Sequence, residues 1–233
     1  MSNHFQEIYA HKAATYDRMI RREDYEGNLP AALAEIVHLD GLDVVEFGAG
    51  TGRLTRMLAP HVRRIFAFDI APSMLKVARE TLPADASNWS LAVGDNRTMP
   101  VRSHCADLVI AGWSFGHATE WFTDCWRDEI GAALAEMRRI LKPGGTAIII
   151  ETMGTGTATP APPHPDLAAF YKWLEEEHGF AYRWIRMDYR FETVEEGEEL
   201  MSFFFGEDLA EQVRTGRLLF VPQCTGIWWR KID

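Results

Sequence analysis

An α/β fold, a parallel sheet covered by helices on both faces, is what this sequence predicts, and three observations carry the prediction. Strand-like apolar runs and amphipathic helix-like segments alternate five times between Val44 and Ile150. A glycine-rich turn, Gly48-Ala49-Gly50-Thr51-Gly52, joins the first run to the first helix of that series. Acidic residues stand at or near the strand ends, at Glu46, Asp69, Asp95 and Glu151, where open parallel sheets bind their ligands.

Composition narrows the class. The chain has 233 residues and a net charge of −10, with the acid excess concentrated after residue 150. That length suits one larger domain or one domain with an added subdomain. A nucleic-acid partner would want a basic face, so none is expected. Cys105, Cys125 and Cys224 are widely spaced and odd in number, neither a disulfide framework nor a zinc pattern. No metal site is therefore expected, and a reducing, cytoplasmic setting is. The N-terminus lacks a signal peptide, and no apolar run approaches the roughly 20 residues that span a bilayer. A protein with no membrane partner follows; the oligomeric state has no signature in the sequence.

The elements follow in order. Residues 4–20 read as a short helix, and Asn28–His38 as a second, with Asn28 as N-cap and Pro30 in its first turn. Val44–Phe47 is the first strand. The glycines after it allow positive φ and leave no Cβ between backbone and ligand, and the turn feeds a helix start whose free N–H groups can meet an anionic group. Val62–Phe68 is the second strand and ends at Asp69; Pro72 opens a helix to about Thr81. Trp89–Val93 and Asp107–Ala111 are the third and fourth strands. A long helical region from Thr119 to Leu141 stops at Lys142-Pro143-Gly144-Gly145, and Thr146–Ile150 is the fifth strand. Gly154 to Pro165 reads as a loop or lid. Asp166–His178 is helical, Tyr182–Phe191 alternates like a strand, and Thr193–Phe205 is a helix with Thr193 and Glu196 as a capping box. A short helix near Glu207–Val213 and an aromatic strand, Gly226–Arg230, close the chain.

The strand ends indicate the ligand. Asp69 suits a vicinal diol, because a carboxylate can accept from two ribose hydroxyls at once. Asp95 is placed to accept from an exocyclic amine such as that of adenine. Glu46 would repel a pyrophosphate but welcome an ammonium or sulfonium, unless it pairs with an arginine instead. The loop is Gly-x-Gly-x-Gly, without the Gly-x-Gly-x-x-Gly of a dinucleotide site or the Lys-Ser/Thr of a triphosphate loop.

Five stretches in order, Glu46–Gly52, Asp69–Leu75, Gly94-Asp95, Ala106–Val109 and Leu141–Gly145, resemble the successive motifs of class I S-adenosylmethionine-dependent methyltransferases, over roughly residues 40–152. The resemblance implies a Rossmann-like three-layer αβα fold with a seven-stranded, mostly parallel sheet. Its last two strands would come from 182–191 and 226–231, the final one antiparallel. It implies a single methyltransferase domain over 1–233, with a helical cap (1–38), a cofactor-binding core (40–152) and a substrate-side part (153–233). The cofactor it implies is S-adenosyl-L-methionine. Gly48, Ala49, Gly50 and Gly52 would pack against its methionine part, with Glu46 nearby and Gly112 in the same pocket. Asp69 would hold the ribose and Asp95 the adenine amine. Ile70 and Met74 would flank sugar and base, and Asn96 would offer a backbone N–H to the ring. Tyr16 resembles the N-terminal tyrosine with which some relatives close over the methionine carboxylate. The one departure, Glu46 where Asp is commoner, keeps the charge.

The chemistry half is less legible. His117 follows the fourth strand, and its ordinary pKa of about 6.5 would suit a general base; it could equally only shape the pocket. Trp113 and Phe115 could face a sulfonium or simply pack. His164 sits in the Pro-rich loop without a visible partner. The acidic balance, and the lack of an Asn-Pro-Pro-aromatic signature for amide or base nitrogen, favour a small-molecule acceptor. Two rivals stay open: a nicotinamide-dependent oxidoreductase, and a non-catalytic cofactor-binding protein on the same scaffold.

Overall fold

The computed structural model describes residues 2–84 and 86–232; Met1, Asp85 and Asp233 lie outside the described residues. Three helices lead in, α1 (Ser2–His11), α2 (Ala13–Ile20) and α3 (Asn28–Ile36). Then β1 (Asp43–Phe47) passes through the glycine turn into α4 (Arg53–Leu58), followed by β2 (Arg64–Asp69), α5 (Pro72–Thr81) and β3 (Trp89–Val93). Next come β4 (Ala106–Gly112), α6 (Ala118–Trp121), α7 (Trp126–Ile140) and β5 (Leu141–Thr155). The chain ends with α8 (Pro165–Glu176), β6 (Ala181–Arg186), β7 (Tyr189–Arg190), α9 (Val194–Phe205), α10 (Glu207–Gly216), β8 (Phe220–Val221) and β9 (Gln223–Lys231).

Seven strands form one sheet in the order β3-β2-β1-β4-β5-β9-β6. The first five run parallel, and β9 is antiparallel to both of its neighbours. Strand order reverses between β1 and β4, which puts the ligand crevice above their carboxyl ends. The period of two along each strand sorts side chains to opposite faces. Val45, Phe47, Val109, Ala111 and Ile149 pack with α7 and α8 on one side, while Val44, Leu108, Ile110 and Ile148 pack with α3 and α4 on the other. Burial on both faces is why β1 and β4 read as mostly apolar runs, broken by Glu46 in β1 and Asp107 in β4.

Several boundaries differ from the sequence expectation, each for a local reason. The helix over 4–20 breaks at Lys12, whose ψ of 27 leaves the helical region. Asn28 is not the cap of α3. Gly27, at φ 74, holds that position, and the carboxylate of Asp24 reaches forward to accept from the N–H groups of Asn28 and Leu29. The helical region after β4 is interrupted at 122–125 and ends at Ile140, so that Leu141 already pairs with Ala106. Tyr182–Phe191 is not one strand. It splits at Met187, and Tyr189-Arg190 leave the main sheet to pair with Phe220-Val221 in a separate two-stranded sheet. The fifth strand runs on past Ile150 to Thr155, which pairs with Gln223, so the loop is confined to 156–164 and is fastened: Ala161 N–H donates to Met153 O (2.6 Å) and Gly156 N–H to Pro222 O (2.8 Å).

The C-terminal strand is locked by Trp228, fully buried between the rings of Tyr171 and Tyr182 at 4.5 and 4.9 Å, with its indole N–H donated to Glu175 Oε1 at 3.0 Å. Gly226 makes room, since a Cβ there would meet the Trp228 ring at 2.3 Å. Trp228→Ala should therefore cost about 3–5 kcal/mol of unfolding free energy, read from the urea midpoint at unchanged slope.

Candidate active site

A cavity of about 690 Å³ opens above the carboxyl ends of the parallel strands, at the point where their order reverses. Every cofactor-contact residue expected from the sequence except Gly52 lines it, and so does His117. Gly52 has a different duty. At φ 84 it lets α4 approach α5, and a Cβ there would press on Ala78 at 3.3 Å and Leu82 at 3.4 Å.

The glycine turn is shaped by neighbours as much as by its own freedom. Gly48, at φ 68, lies against Ser114, whose Oγ would be 2.2 Å from any added Cβ. Ser114 in turn accepts from Asn96 Nδ2 at 2.8 Å, which ties the loops after β1, β3 and β4 together. Asp69 fixes the other side: one carboxylate oxygen accepts from Gly50 N–H at 2.8 Å and the other from Ala71 N–H at 2.8 Å. Each oxygen keeps a lone pair for a ligand hydroxyl. Burial pushes the Asp69 pKa up, against the pull of those two N–H groups.

The other two acids are held differently. Glu46 is buried near the end of β1 and, among the described residues, no arginine pairs with it; the Thr55 hydroxyl donates to one of its oxygens. Burial pushes its pKa up to about 8. Asp95 is tied to Arg97, which donates from Nε at 2.9 Å and Nη2 at 2.5 Å and lowers its pKa, while Arg97 also bridges to Glu129. An amine approaching Asp95 would share that carboxylate with the guanidinium. Ile70 stands 62% exposed at the rim and Met74 is buried beneath, two apolar surfaces for a flat ring.

The roof comes from the N-terminus. Tyr9 on α1 and Tyr16 on α2 line the cavity, and Ser73 at the start of α5 donates its hydroxyl to Tyr9 O at 2.5 Å. The Tyr9 hydroxyl meets His117 Nε2 at 2.9 Å, and the other face of the His117 environment is a parallel stack on Trp121 at 4.9 Å. Burial drives the His117 pKa down to about 4, so the ring is neutral and weakly basic. Burial raises both tyrosines. Trp113, at φ 50, has its ring covered by the Arg53 guanidinium at 4.1 Å, so that face is already occupied. Phe115 is buried against Phe47 and serves the core. His164 has partners after all: its Nδ1 caps α8 by accepting from Leu167 N–H, and its Nε2 lies 3.4 Å from Glu120.

The donor set can be tested against S-adenosylmethionine on its own chemistry. Thr51 Oγ1 and Trp121 Nε1 are buried without a protein partner, and both residues line the cavity. The cradle at Gly48 has no room for a Cβ. An uncompensated buried acid at Glu46 suits a cation, and Asp69 has lone pairs for a diol. The residues fit an adenosine with a cationic amino-acid tail. Tyr9, Arg53, Ser114 and Trp121 are additions that sequence reasoning missed; only Arg53, directly after the glycine turn, had a positional signal.

Comparison with known proteins agrees with the geometry. The profile of a methyltransferase domain family matches residues 45–149. An uncharacterized methyltransferase of Bacillus cereus is 27% identical over 158 residues, covering 66% of this chain and 69% of the relative. Among solved structures, an S-adenosylmethionine-dependent methyltransferase from Aquifex aeolicus superposes with a TM-score of 0.58 at 16% identity, over 88% of this chain and 89% of the other. The [4+2]-cyclase SpnF superposes with 0.56 at 15% identity, over 88% and 81%. At such identity these structures speak for the fold alone.

Two outcomes follow from this geometry. Gly48→Ala should abolish or strongly reduce binding of S-adenosylhomocysteine by calorimetry. Gly41→Ala, at φ 75 with nothing within 4 Å, carries only backbone strain and should leave binding intact. Glu46 keeps its proton in the fold up to about pH 8 but would lose it in the unfolded chain near 4.5. The folded state therefore holds the extra proton between those values, and stability falls as pH rises through that window. Urea unfolding at pH 5 and pH 8 should show this decline, and Glu46→Gln should reduce it, leaving the part due to Glu151, whose pKa burial raises to about 7.

Proposed function

We propose that this chain, a member of the class I S-adenosylmethionine-dependent methyltransferase family, transfers a methyl group to a small-molecule acceptor from a donor held between Glu46, Asp69 and Asp95. One observation carries the reading: these three carboxylates, on adjacent strands, wall a single cavity that the glycine turn leaves open to bare backbone. When bound, S-adenosylmethionine supplies a methyl carbon already activated by a sulfonium. What remains for the protein is to orient and to keep the site dry.

The residues divide that work. Asp69 takes the ribose hydroxyls and Asp95 the adenine amine, with Ile70 and Met74 against sugar and base and the Asn96 backbone toward the ring. Glu46 sits beside the cationic tail, next to Gly48, Ala49, Gly50 and Gly112. Tyr16 closes from α2. His117 serves as the anchor on which Tyr9 docks the roof: a ring with a pKa near 4, committed to a hydrogen bond and a stack, is a poor acceptor for a substrate proton. Acceptors that arrive with a free lone pair suit such a site best. The helical cap over 1–38, the core over 40–152 and the remaining 153–233 would then act as one domain, with acceptor choice set by the cap and the C-terminal part. A small acceptor is favoured by the roof of α1 and α2 across the cavity and by the net charge of −10, which disfavours a polyanionic partner.

Titration calorimetry with S-adenosylmethionine and with NAD separates this from the oxidoreductase reading; binding of NAD alone would overturn it. Methyl turnover with any acceptor excludes a purely binding role. Asp69→Asn should weaken donor binding by at least about 1 kcal/mol, and unchanged affinity would remove the ribose assignment. His117→Gln should keep the chemistry while loosening the roof, so turnover would fall less than tenfold or so; a larger loss, of the roughly 10²–10⁴ expected of a general base, would restore the base role.

A further inference from the structure

We propose that Glu151 is a positioning residue for methyl transfer, holding the Ser114–His117 loop against both the donor turn and the roof; this rests on the donor reading above. Glu151 is the strand-end acid that the donor site leaves unused. It is 3% exposed and takes no part in the cavity wall. Its Oε1 accepts from Gly116 N–H at 2.9 Å, and the N–H groups of Phe115 and Ser114 also favour its charged form. One residue earlier, Ile150 O accepts from Trp113 N–H at 2.7 Å. The end of β5 thus answers four consecutive N–H groups after β4, in a segment where Phe115 and Gly116 are buried and unpaired donors would be costly.

The carbonyl side of the same loop is committed to α6. Phe115 O accepts from Ala118 N–H at 3.0 Å, and Gly116 O accepts from Thr119 N–H at 3.1 Å and from the buried Thr119 hydroxyl at 2.7 Å. Gly116 lets the backbone come down onto the carboxylate: a Cβ there would stand 2.8 Å from Glu151 Oε2 and 2.9 Å from Leu167. Both ends of the loop touch the site. Ser114 packs on Gly48 and accepts from Asn96, and His117 meets the Tyr9 hydroxyl. Among the described residues no cation pairs with Glu151; burial pushes its pKa up to about 7, and Tyr9 and Tyr171 feel its charge. A buried acid without a salt bridge is a costly residue, and the loop N–H groups are what this one faces. A shift of the loop would take Ser114 off the glycine turn and His117 off Tyr9 together, and a misplacement of about 1 Å is enough to slow such a reaction roughly 10²-fold.

S-adenosylhomocysteine serves as the probe, with two variants that keep the side-chain volume. Glu151→Leu removes every acceptor, whereas Glu151→Gln keeps one oxygen for the Gly116 N–H. Calorimetry should show the probe weakened about tenfold or more in Glu151→Leu, the range for buried donors left unpaired, and only a few-fold in Glu151→Gln. Hydrogen exchange locates the effect even if Glu151→Leu does not fold: in Glu151→Gln, protection of amides 114–116 should fall while that of β4 is kept. Protection lost along β4 and β5 alike, or lost nowhere, would overturn the assignment. Because the carboxyl acts through the loop, the losses from Glu151→Gln and Ser114→Ala should overlap, so that the double variant loses less than the product of the two. Losses that multiply in full would overturn it, as would unchanged affinity in both Glu151 variants. Failure of the wild-type protein to bind the probe would instead sink the donor reading, and this assignment with it.

Discussion

The two hydrogen bonds that Asp69 accepts, from Gly50 and from Ala71, hold the site together. They join the turn after β1 to the start of α5 through a single carboxylate at the end of β2. Both N–H groups lie where a turn and a helix start leave donors without partners. Satisfying them from a side chain frees the backbone from needing water. The carboxylate thereby becomes part of the cavity wall. Register between β1 and β2, Phe47 opposite Phe68, sets the distance at which this is possible. Sheet pairing and turn geometry are one construction here.

The roof solves a different problem. Methyl transfer from an activated donor needs a dry, aligned site more than it needs acid–base chemistry. The closure uses aromatic rings and one neutral hydrogen bond: Tyr9 to His117, His117 on Trp121, Phe5 against His117 and Phe204. These rings cover the cavity without introducing a charge that would need its own partner. The low basicity of His117 follows from that same burial, so enclosure and base catalysis pull in opposite directions at this position.

Legibility followed the locality of the signal. Strands β1 to β5 were readable because each is a short, mostly apolar run punctuated by Gly, Pro or an acid in the neighbouring few residues, β1 and β4 being buried throughout most of their length and the edge strand β3 largely exposed. The C-terminal part was not. Its alternation from Tyr182 to Phe191 suggests one strand, but Met187 turns inward and Asp188 spends its carboxylate on Arg186 and on the Gln223 N–H. The pairing partner of Tyr189 lies more than thirty residues on, at Val221. No local pattern carries that information. The site divides the same way: Asp69 and the glycines announce themselves by spacing, while Tyr9 and Ser114 matter only because the fold brings α1 and the β4 loop against the β1 turn. Gly52 was correctly seen as special, yet for packing on Ala78 and Leu82 rather than for contact.

The three acids of the cleft show how a chain prepares for a cation it has not yet met. Ionising all of them side by side in a low-dielectric pocket would be costly. The structure avoids this three ways: Glu46 is left protonated by burial, Asp69 is held by backbone N–H groups, and Asp95 is paired with Arg97. Only the first of these leaves a charge to be created on binding. A cation placed at Glu46 recovers the Coulomb energy that burial withheld, whereas a neutral ligand there gains a hydrogen bond at most. An anion recovers nothing there, because Glu46 stays neutral beside it, and it would face Asp69 nearby. The charge state of that single buried carboxyl is thus where a cation and an anion would differ most in this cavity.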